Sequence, residues 1–286
     1  MAEPIMRKAR GDGVELQVAI WEGPGKTLLC IHGLTANCRC WDLIAGAMGE
    51  KYRIVAMDLR GRGLSGRPGT GYSIDQHRRD INCLMDDLGL ENVIPVGHSL
   101  GASIAMALGA CHPERVDRMV LLDGGGKLSK EQMTLVFAGI KPALDRLGKL
   151  FPSFEAYIEL LKKAPFLQPW SPSLETYFRY EVEAVDGGVR SRVHPEHIME
   201  ESLNMKEVDV AQFYPQLTCP VLILRATDGM LAADDILLPR EVVGRMIRTI
   251  PDARCVDIDG TNHYSIIFQP NAGRDRAMLD FINPFS

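Results

Sequence analysis

No stretch of this sequence stays apolar for the roughly 20 residues that a membrane-spanning helix needs. Met1 to Glu15 carries Arg7, Lys8 and Arg10 with no apolar run behind them, so a signal peptide is not expected there. An excess of positive charge is missing too. The formal net charge is −5, which argues against the phosphate contacts of a nucleic-acid binder, and no basic amphipathic stretch points to a membrane surface. The seven cysteines are odd in number and scattered, which fits free thiols used as small core hydrophobes in a reducing cytoplasm. Cys38-Arg39-Cys40 offers too few ligands for a zinc site, and His194 and His197 lack a spaced third ligand. Phosphate loops, dinucleotide fingerprints and metal clusters are also wanting, so neither cofactor nor metal is expected. Repeats and low-complexity tracts do not interrupt the chain.

What is present is an alternation. Val14–Trp21 alternates like a half-exposed strand, and apolar runs of strand length follow at Thr27–Ile31, Arg53–Met57, Asn92–Val96, Arg118–Leu122 and Val221–Leu224, with a shorter strand at Cys255–Ile258. Helical patterns lie between them, at Trp41–Met48, Ile74–Leu88, Ser99–Cys111, Glu241–Thr249 and Arg274–Phe281. Continuous apolar strands separated by helices predict a parallel sheet covered on both faces. At 286 residues the chain can bury a full core of this kind. The alternation breaks once. From about Lys127 to Tyr214 no strand pattern is legible, and helix-like pieces (Lys130–Phe137, Leu144–Leu150, Phe154–Lys163, Glu175–Val185) are punctuated by prolines. The expected organisation is therefore a core of residues 1–126 and 215–286 with a helical cap of residues 127–214 over the carboxyl ends of the strands, where ligands of open α/β sheets bind.

The chemistry is concentrated in Gly97-His98-Ser99-Leu100-Gly101, which joins the strand Asn92–Val96 to a helix rich in small residues. In this strand–turn–helix setting G-x-S-x-G acts as a nucleophile elbow, with the serine hydroxyl beside a helix N-terminus. A serine needs a base, and His263 follows a late strand in Asp259-Gly260-Thr261-Asn262-His263. His32 and His98 flank glycines in turns and read as structural, and His77, His112, His194 and His197 have nothing to recommend them. Two carboxylates could orient His263. Asp228 follows the strand directly preceding the one that leads to His263, and is preferred; Asp123 ends the strand before that, and Asp234 and Asp235 share the Asp228 loop. Backbone N–H groups of Leu100 and, from the loop after Ile31-His32-Gly33, Leu34 are the expected oxyanion donors.

With Ile31-His32-Gly33, Gly97-His98-Ser99-Leu100-Gly101, Asp228 and His263 in this order, the chain resembles the α/β-hydrolase superfamily. Met57-Asp58-Leu59-Arg60-Gly61-Arg62-Gly63-Leu64-Ser65 and His112-Pro113-Glu114-Arg115-Val116 resemble it as well. The resemblance implies an α/β fold with a mostly parallel eight-stranded sheet flanked by helices, a helical cap inserted after the sixth strand, and hydrolysis through an acyl-serine. Serine at position 99 differs from the aspartate of haloalkane dehalogenases and epoxide hydrolases. His-Gly-Leu-Thr is neither the epoxide hydrolases' His-Gly-x-Pro nor the His-Gly-Gly-Gly of many lipases. Arg225 stands where relatives often place glycine, and the interval from Asp228 to His263 is longer than usual in the family.

The function expected is hydrolysis of a small or medium carboxylic ester or lactone, a small-molecule substrate being the sole partner implied. The same site would also serve an acyltransferase, thioesterase, amidase or C–C bond hydrolase, and the fold alone would serve a small-molecule receptor. Lid residues Met133, Phe137, Phe151, Phe154, Tyr157, Phe166, Trp170, Tyr177 and Phe178 are expected to pack mostly on one another, the rest shaping an apolar pocket.

Overall fold

A computed structural model describes residues 3–283. β1 (Ile5–Arg10) and β2 (Glu15–Trp21) form an antiparallel hairpin. β1 is missing from the strand segments read in the sequence. It is an exposed edge strand with Arg7, Lys8 and Arg10 in its six residues, a charged composition that blunts edge pairing and hides the apolar pattern. Then come β3 (Thr27–Ile31), α1 (Asp42–Met48), β4 (Arg53–Met57), α2 (Ile74–Leu88), β5 (Val93–His98), α3 (Leu100–Cys111) and β6 (Met119–Leu122).

After β6 the chain leaves the sheet for α4 (Lys130–Asp145), α5 (Phe154–Leu161), α6 (Pro172–Glu181), the hairpin β7 (Val182–Val185) and β8 (Gly188–Ser191), and α7 (Pro195–Glu207). It returns as β9 (Val221–Ala226), α8 (Arg240–Thr249), β10 (Ala253–Ile258), α9 (Ser265–Phe268) and α10 (Ala272–Ile282). The sheet order is β1-β2-β4-β3-β5-β6-β9-β10, and β2 alone among these strands runs opposite to the rest.

Residues two apart along a strand face the same side, and the core divides accordingly. Leu28, Cys30, Ile54 and Ala56 join Trp41, Ile44, Met278 and Phe281 on one face. Leu29, Ile31, Val55 and Met57 join Ile81, Leu84, Ile104 and Leu108 on the other. All seven cysteines are free. Among the described residues no helix is long and apolar enough to cross a membrane.

The excursion departs from the sequence reading in three ways. α4 runs unbroken through Pro142, where two shorter helices were expected. α7 starts on Pro195 at its first turn, a position that suits proline because its missing N–H has no intrahelical partner to lose. Residues 182–191 form a two-stranded hairpin in a region read as strand-free. Each of its strands is four residues long and mixes apolar with charged or small side chains, too little for a periodic signal. The ends of the excursion meet: Tyr214 Oη donates to the Gly125 carbonyl (2.8 Å) and accepts from the Lys127 N–H (2.9 Å).

Candidate active site

Ser99 sits between β5 and α3 with φ 56° and ψ −120°, a left-handed backbone on a non-glycine residue that costs on the order of 1–3 kcal/mol. Its surroundings enforce that conformation. A Cβ on Gly97 would lie 2.3 Å from the Gly101 carbonyl oxygen, and one on Gly101 would lie 2.0 Å from that of Ile31. Glycine at both positions lets α3 start almost in contact with the strands, and Ser99 N–H donates to the Leu122 carbonyl at the end of β6 (3.2 Å). Leu100 opens α3, so its N–H lacks an intrahelical acceptor and lies at the positive end of the helix dipole.

The acid beside His263 is Asp123, not Asp228. His263 Nδ1 lies 2.8 Å from Asp123 Oδ2, and both side chains are buried. With a carboxylate as acceptor, Nδ1 carries the proton and Nε2 keeps a free lone pair. The expectation for Asp228 rested on β9 directly preceding β10 in the chain. In the sheet, however, β6 lies beside β9, and Asp123 has φ 41° just past the end of β6. Its N–H donates to the Leu224 carbonyl (2.8 Å) and its Oδ1 accepts from the Ala226 N–H (3.2 Å), so the carboxylate reaches across the end of β9. Asp228 is solvent-exposed and accepts from the hydroxyl of Thr227 (2.9 Å). Asp235 is spent on its own loop, accepting from the N–H groups of Met230, Leu231 and Ala232. Buried Arg225, the other departure from the family pattern, donates to the Leu238 carbonyl (2.8 Å) and to Asp257 (3.1 Å), holding that long loop to the sheet.

His98, the residue before Ser99, touches His263. Its ring stacks on that of His263 with centroids 4.5 Å apart, and its Nε2 donates to the His263 carbonyl (2.9 Å). Burial pushes His98 well below the usual imidazole range, with His263 adding to the effect, so it serves as a neutral donor. Gly124 closes the cluster: a Cβ there would lie 2.5 Å from the Ser99 carbonyl oxygen.

The loop after β3 is held from below. His32 Nδ1 donates to the Gly33 carbonyl (2.7 Å), which also accepts from the Ala36 N–H (3.2 Å). In a trans peptide the N–H points opposite the carbonyl, so these bonds aim the Leu34 N–H. The other ring nitrogen of His32 accepts from the Leu59 N–H (3.0 Å), and burial pushes the imidazole down to about 3. Asp58, wholly buried, accepts from the N–H groups of Cys38 (2.7 Å) and Leu64 (2.9 Å) and from the Tyr180 hydroxyl (2.7 Å) of α6. These polar residues of the Asp58–Ser65 turn stood in the sequence only as a family pattern.

Ser99, Leu100 and Leu34 share the wall of a cavity of about 900 Å³ whose lining is mostly apolar, with Met133, Phe137, Ile140 and Met205 supplied by the excursion. A second cavity of about 410 Å³ is lined by Phe166, Tyr177, Phe178, Tyr264 and Phe268; its described lining contains neither Ser99 nor His263. Of the nine lid residues singled out in the sequence, Met133 and Phe137 therefore line the cavity that Ser99 lines. Trp170 stacks on Phe178 at 5.7 Å and Tyr157 packs edge-on to Phe151 and Phe178.

Residues 26–270 match the alpha/beta hydrolase fold family. The chain is 28% identical over 243 residues to a 2-(acetamidomethylene)succinate hydrolase of Mesorhizobium japonicum, covering 85% of this chain and 83% of that one. It is 27% identical over 270 residues to a 3-hydroxybutyrate-oligomer hydrolase of Cupriavidus necator, 87% of each. The crystal structure of E-2-(acetamidomethylene)succinate hydrolase superposes with a TM-score of 0.82 at 25% identity, over 99% of this chain and 98% of that one. With the eight-stranded sheet and the serine at its elbow, the match over most of the chain shows that this protein belongs to the α/β-hydrolase fold family.

Proposed function

We propose that this protein hydrolyses carboxylic esters with an apolar acyl or alcohol part. Ser99 is the nucleophile, His263 the base and Asp123 the orienting acid, with the N–H groups of Leu34 and Leu100 as oxyanion donors. His263 Nε2 takes the Ser99 proton as Oγ attacks the carbonyl carbon, and Asp123 stabilises the imidazolium. The imidazolium returns that proton to the leaving alkoxide, and a water activated by His263 then releases the acid and restores Ser99. Residues 127–214 act as a cap that selects substrate and supplies no reacting group.

The observation that carries this reading is the largely apolar 900 Å³ cavity with Ser99 in its wall, together with His263, which stacks on the residue preceding Ser99 and whose Nδ1 is committed to a buried carboxylate. The kinship to a hydrolase of 3-hydroxybutyrate oligomers, themselves chains of esters, points the same way. Turnover of p-nitrophenyl esters from acetate to decanoate should be measurable and highest at intermediate length. It should vanish in Ser99→Ala, and a fluorophosphonate should label Ser99 once. Absence of both turnover and label would overturn the reading.

A second reading follows from the relative named for 2-(acetamidomethylene)succinate, a dicarboxylate bearing an acetamido group. The described lining of the cavity holds Lys127, Lys130 and Lys206 but no arginine, and Lys127 pairs with Asp209. If that compound gave a higher kcat/KM than p-nitrophenyl butyrate, hydrolysis of anionic amides would replace the ester assignment.

A further inference from the structure

Arg62 lies in the turn after β4 and is completely buried, as is Glu201 on α7 of the excursion. The three nitrogens of the Arg62 guanidinium each hold one acceptor: Nε donates to the Leu34 carbonyl (3.0 Å), Nη1 to the Arg60 carbonyl (2.9 Å), and Nη2 to the Glu201 carboxylate. Glu201 is held in turn by His77 Nε2 of α2, at 2.8 and 3.0 Å from its two oxygens. The Leu34 carbonyl belongs to the peptide that follows Leu34, whereas the Leu34 N–H belongs to the peptide before it, which His32 and Ala36 orient. The two peptide planes that flank the Leu34 Cα are thus set by separate groups, one within the loop and one tied to the excursion. With both planes fixed, the backbone angles of Leu34 have no freedom left.

From this geometry we infer that Arg62 is a positioning residue for the oxyanion site, and that Glu201 makes the excursion part of the catalytic scaffold rather than a cover alone. The inference rests on the reading of Leu34 N–H as an oxyanion donor. Planar guanidinium suits the task because its donors diverge in a rigid fork that can grip two carbonyls and a carboxylate at once. Without it the Leu34–Thr35 peptide can rotate about the Leu34 Cα, and the peptide that carries the donor is held on the His32 and Ala36 side alone, with less to keep it where the oxyanion forms.

The experiment compares Arg62→Met with the double variant Arg62→Met/Glu201→Leu. Removing one partner of a buried ion pair strands a charge, whereas removing both with apolar groups is commonly tolerated by the fold. Two quantities are read for each protein: kcat and KM for p-nitrophenyl butyrate, and the inhibition constant of an alkyl trifluoromethyl ketone, whose serine adduct carries the tetrahedral oxyanion. A displaced donor should lower kcat by about 10- to 100-fold and weaken the ketone by a similar factor, with KM within about twofold. The double variant should recover part of the thermal midpoint lost in Arg62→Met, His77 still lacking its acceptor, and keep the kinetic defect. Should the double variant fold and match the parent in kcat and ketone affinity, Arg62 is a structural residue only and the inference fails. A parent protein that neither turns over the ester nor binds the ketone sinks the underlying ester-hydrolase reading instead, and this inference with it.

Discussion

Asp123 combines a left-handed backbone with a carboxylate that accepts from Ala226 N–H on one oxygen and from His263 on the other. Converting it to an amide keeps the shape but offers a donor or a weaker acceptor to Nδ1, so the ring can settle in the wrong tautomer. In a well-studied triad that change lowers kcat by about 10⁴. Asp123→Asn should therefore cost at least ~10²-fold in kcat on p-nitrophenyl butyrate, while Asp228→Asn, a change at an exposed side chain, should stay within about threefold. The sequence contained both aspartates at strand ends and no local feature that separates them. Which one reaches the histidine depends on β6 lying next to β9, a pairing between distant segments. Ser99 was different: the demands of its turn are written in the residues two positions either side.

Glu201 carries a second prediction at this scale. Burial by itself would raise its carboxyl, but His77 and Arg62 outweigh that and hold it at about 2, below its ordinary 4.5. A carboxyl depressed on folding contributes stability above pH 4.5 that is lost as the pH falls from 4.5 toward 2. Glu201→Gln should lower the urea midpoint clearly at pH 7, and the gap to the parent should narrow from pH 4.5 downward. A gap that stayed constant down to pH 3 would show that the carboxylate charge is not what matters. No sequence pattern could have raised this group, since Arg62 and Glu201 lie 139 positions apart.

Among the elements, β3, β4, β5 and α3 were legible because each contains an unbroken apolar run, a signal that needs no partner to be read. β1 and the β7–β8 hairpin were not, because their stability comes from pairing and from charged contacts such as Glu183 with Arg67 and Arg190. The junction after β6 belongs to this scale too. Gly124 lies against the backbone of Ser99, where a methyl group would have to push atoms 2.5 to 2.8 Å away. Those atoms are backbone and cannot swing aside. Gly124→Ala should thus lower the thermal midpoint and slow fluorophosphonate labelling of Ser99 together. Slowed labelling without loss of stability would mean that the strand end yields and the serine alone is displaced.

For the molecule as a whole, the excursion meets the sheet through a polar edge and an apolar one. Tyr180 on Asp58, Glu201 on Arg62 and Glu183 on Arg67 anchor α6, β7 and α7 to the turn after β4. α4 instead lays Met133, Phe137 and Ile140 along the cavity beside Ser99. Substrate choice should therefore respond to α4 and not to the aromatic cluster around Trp170. Phe137→Ala should shift the ratio of kcat/KM between hexanoate and acetate esters by about 10-fold or more, as one large apolar contact in a pocket does, whereas Trp170→Ala should leave that ratio within about twofold and act on stability. Equal shifts from both would mean that the cavity beside Phe166 also receives substrate.

The clasp of Tyr214 across Gly125 and Lys127 has a consequence for how such a chain can change through descent. Departure and return points touch, and β6 and β9 on either side are hydrogen-bonded neighbours in the sheet. Everything between is a closed detour, so residues can be added to it or lost from it without altering the register of the strands that carry Ser99, Asp123 and the approach to His263. Lineages could exchange one detour for another and inherit a new diet with the old chemistry, provided the replacement still offers an acid to Arg62.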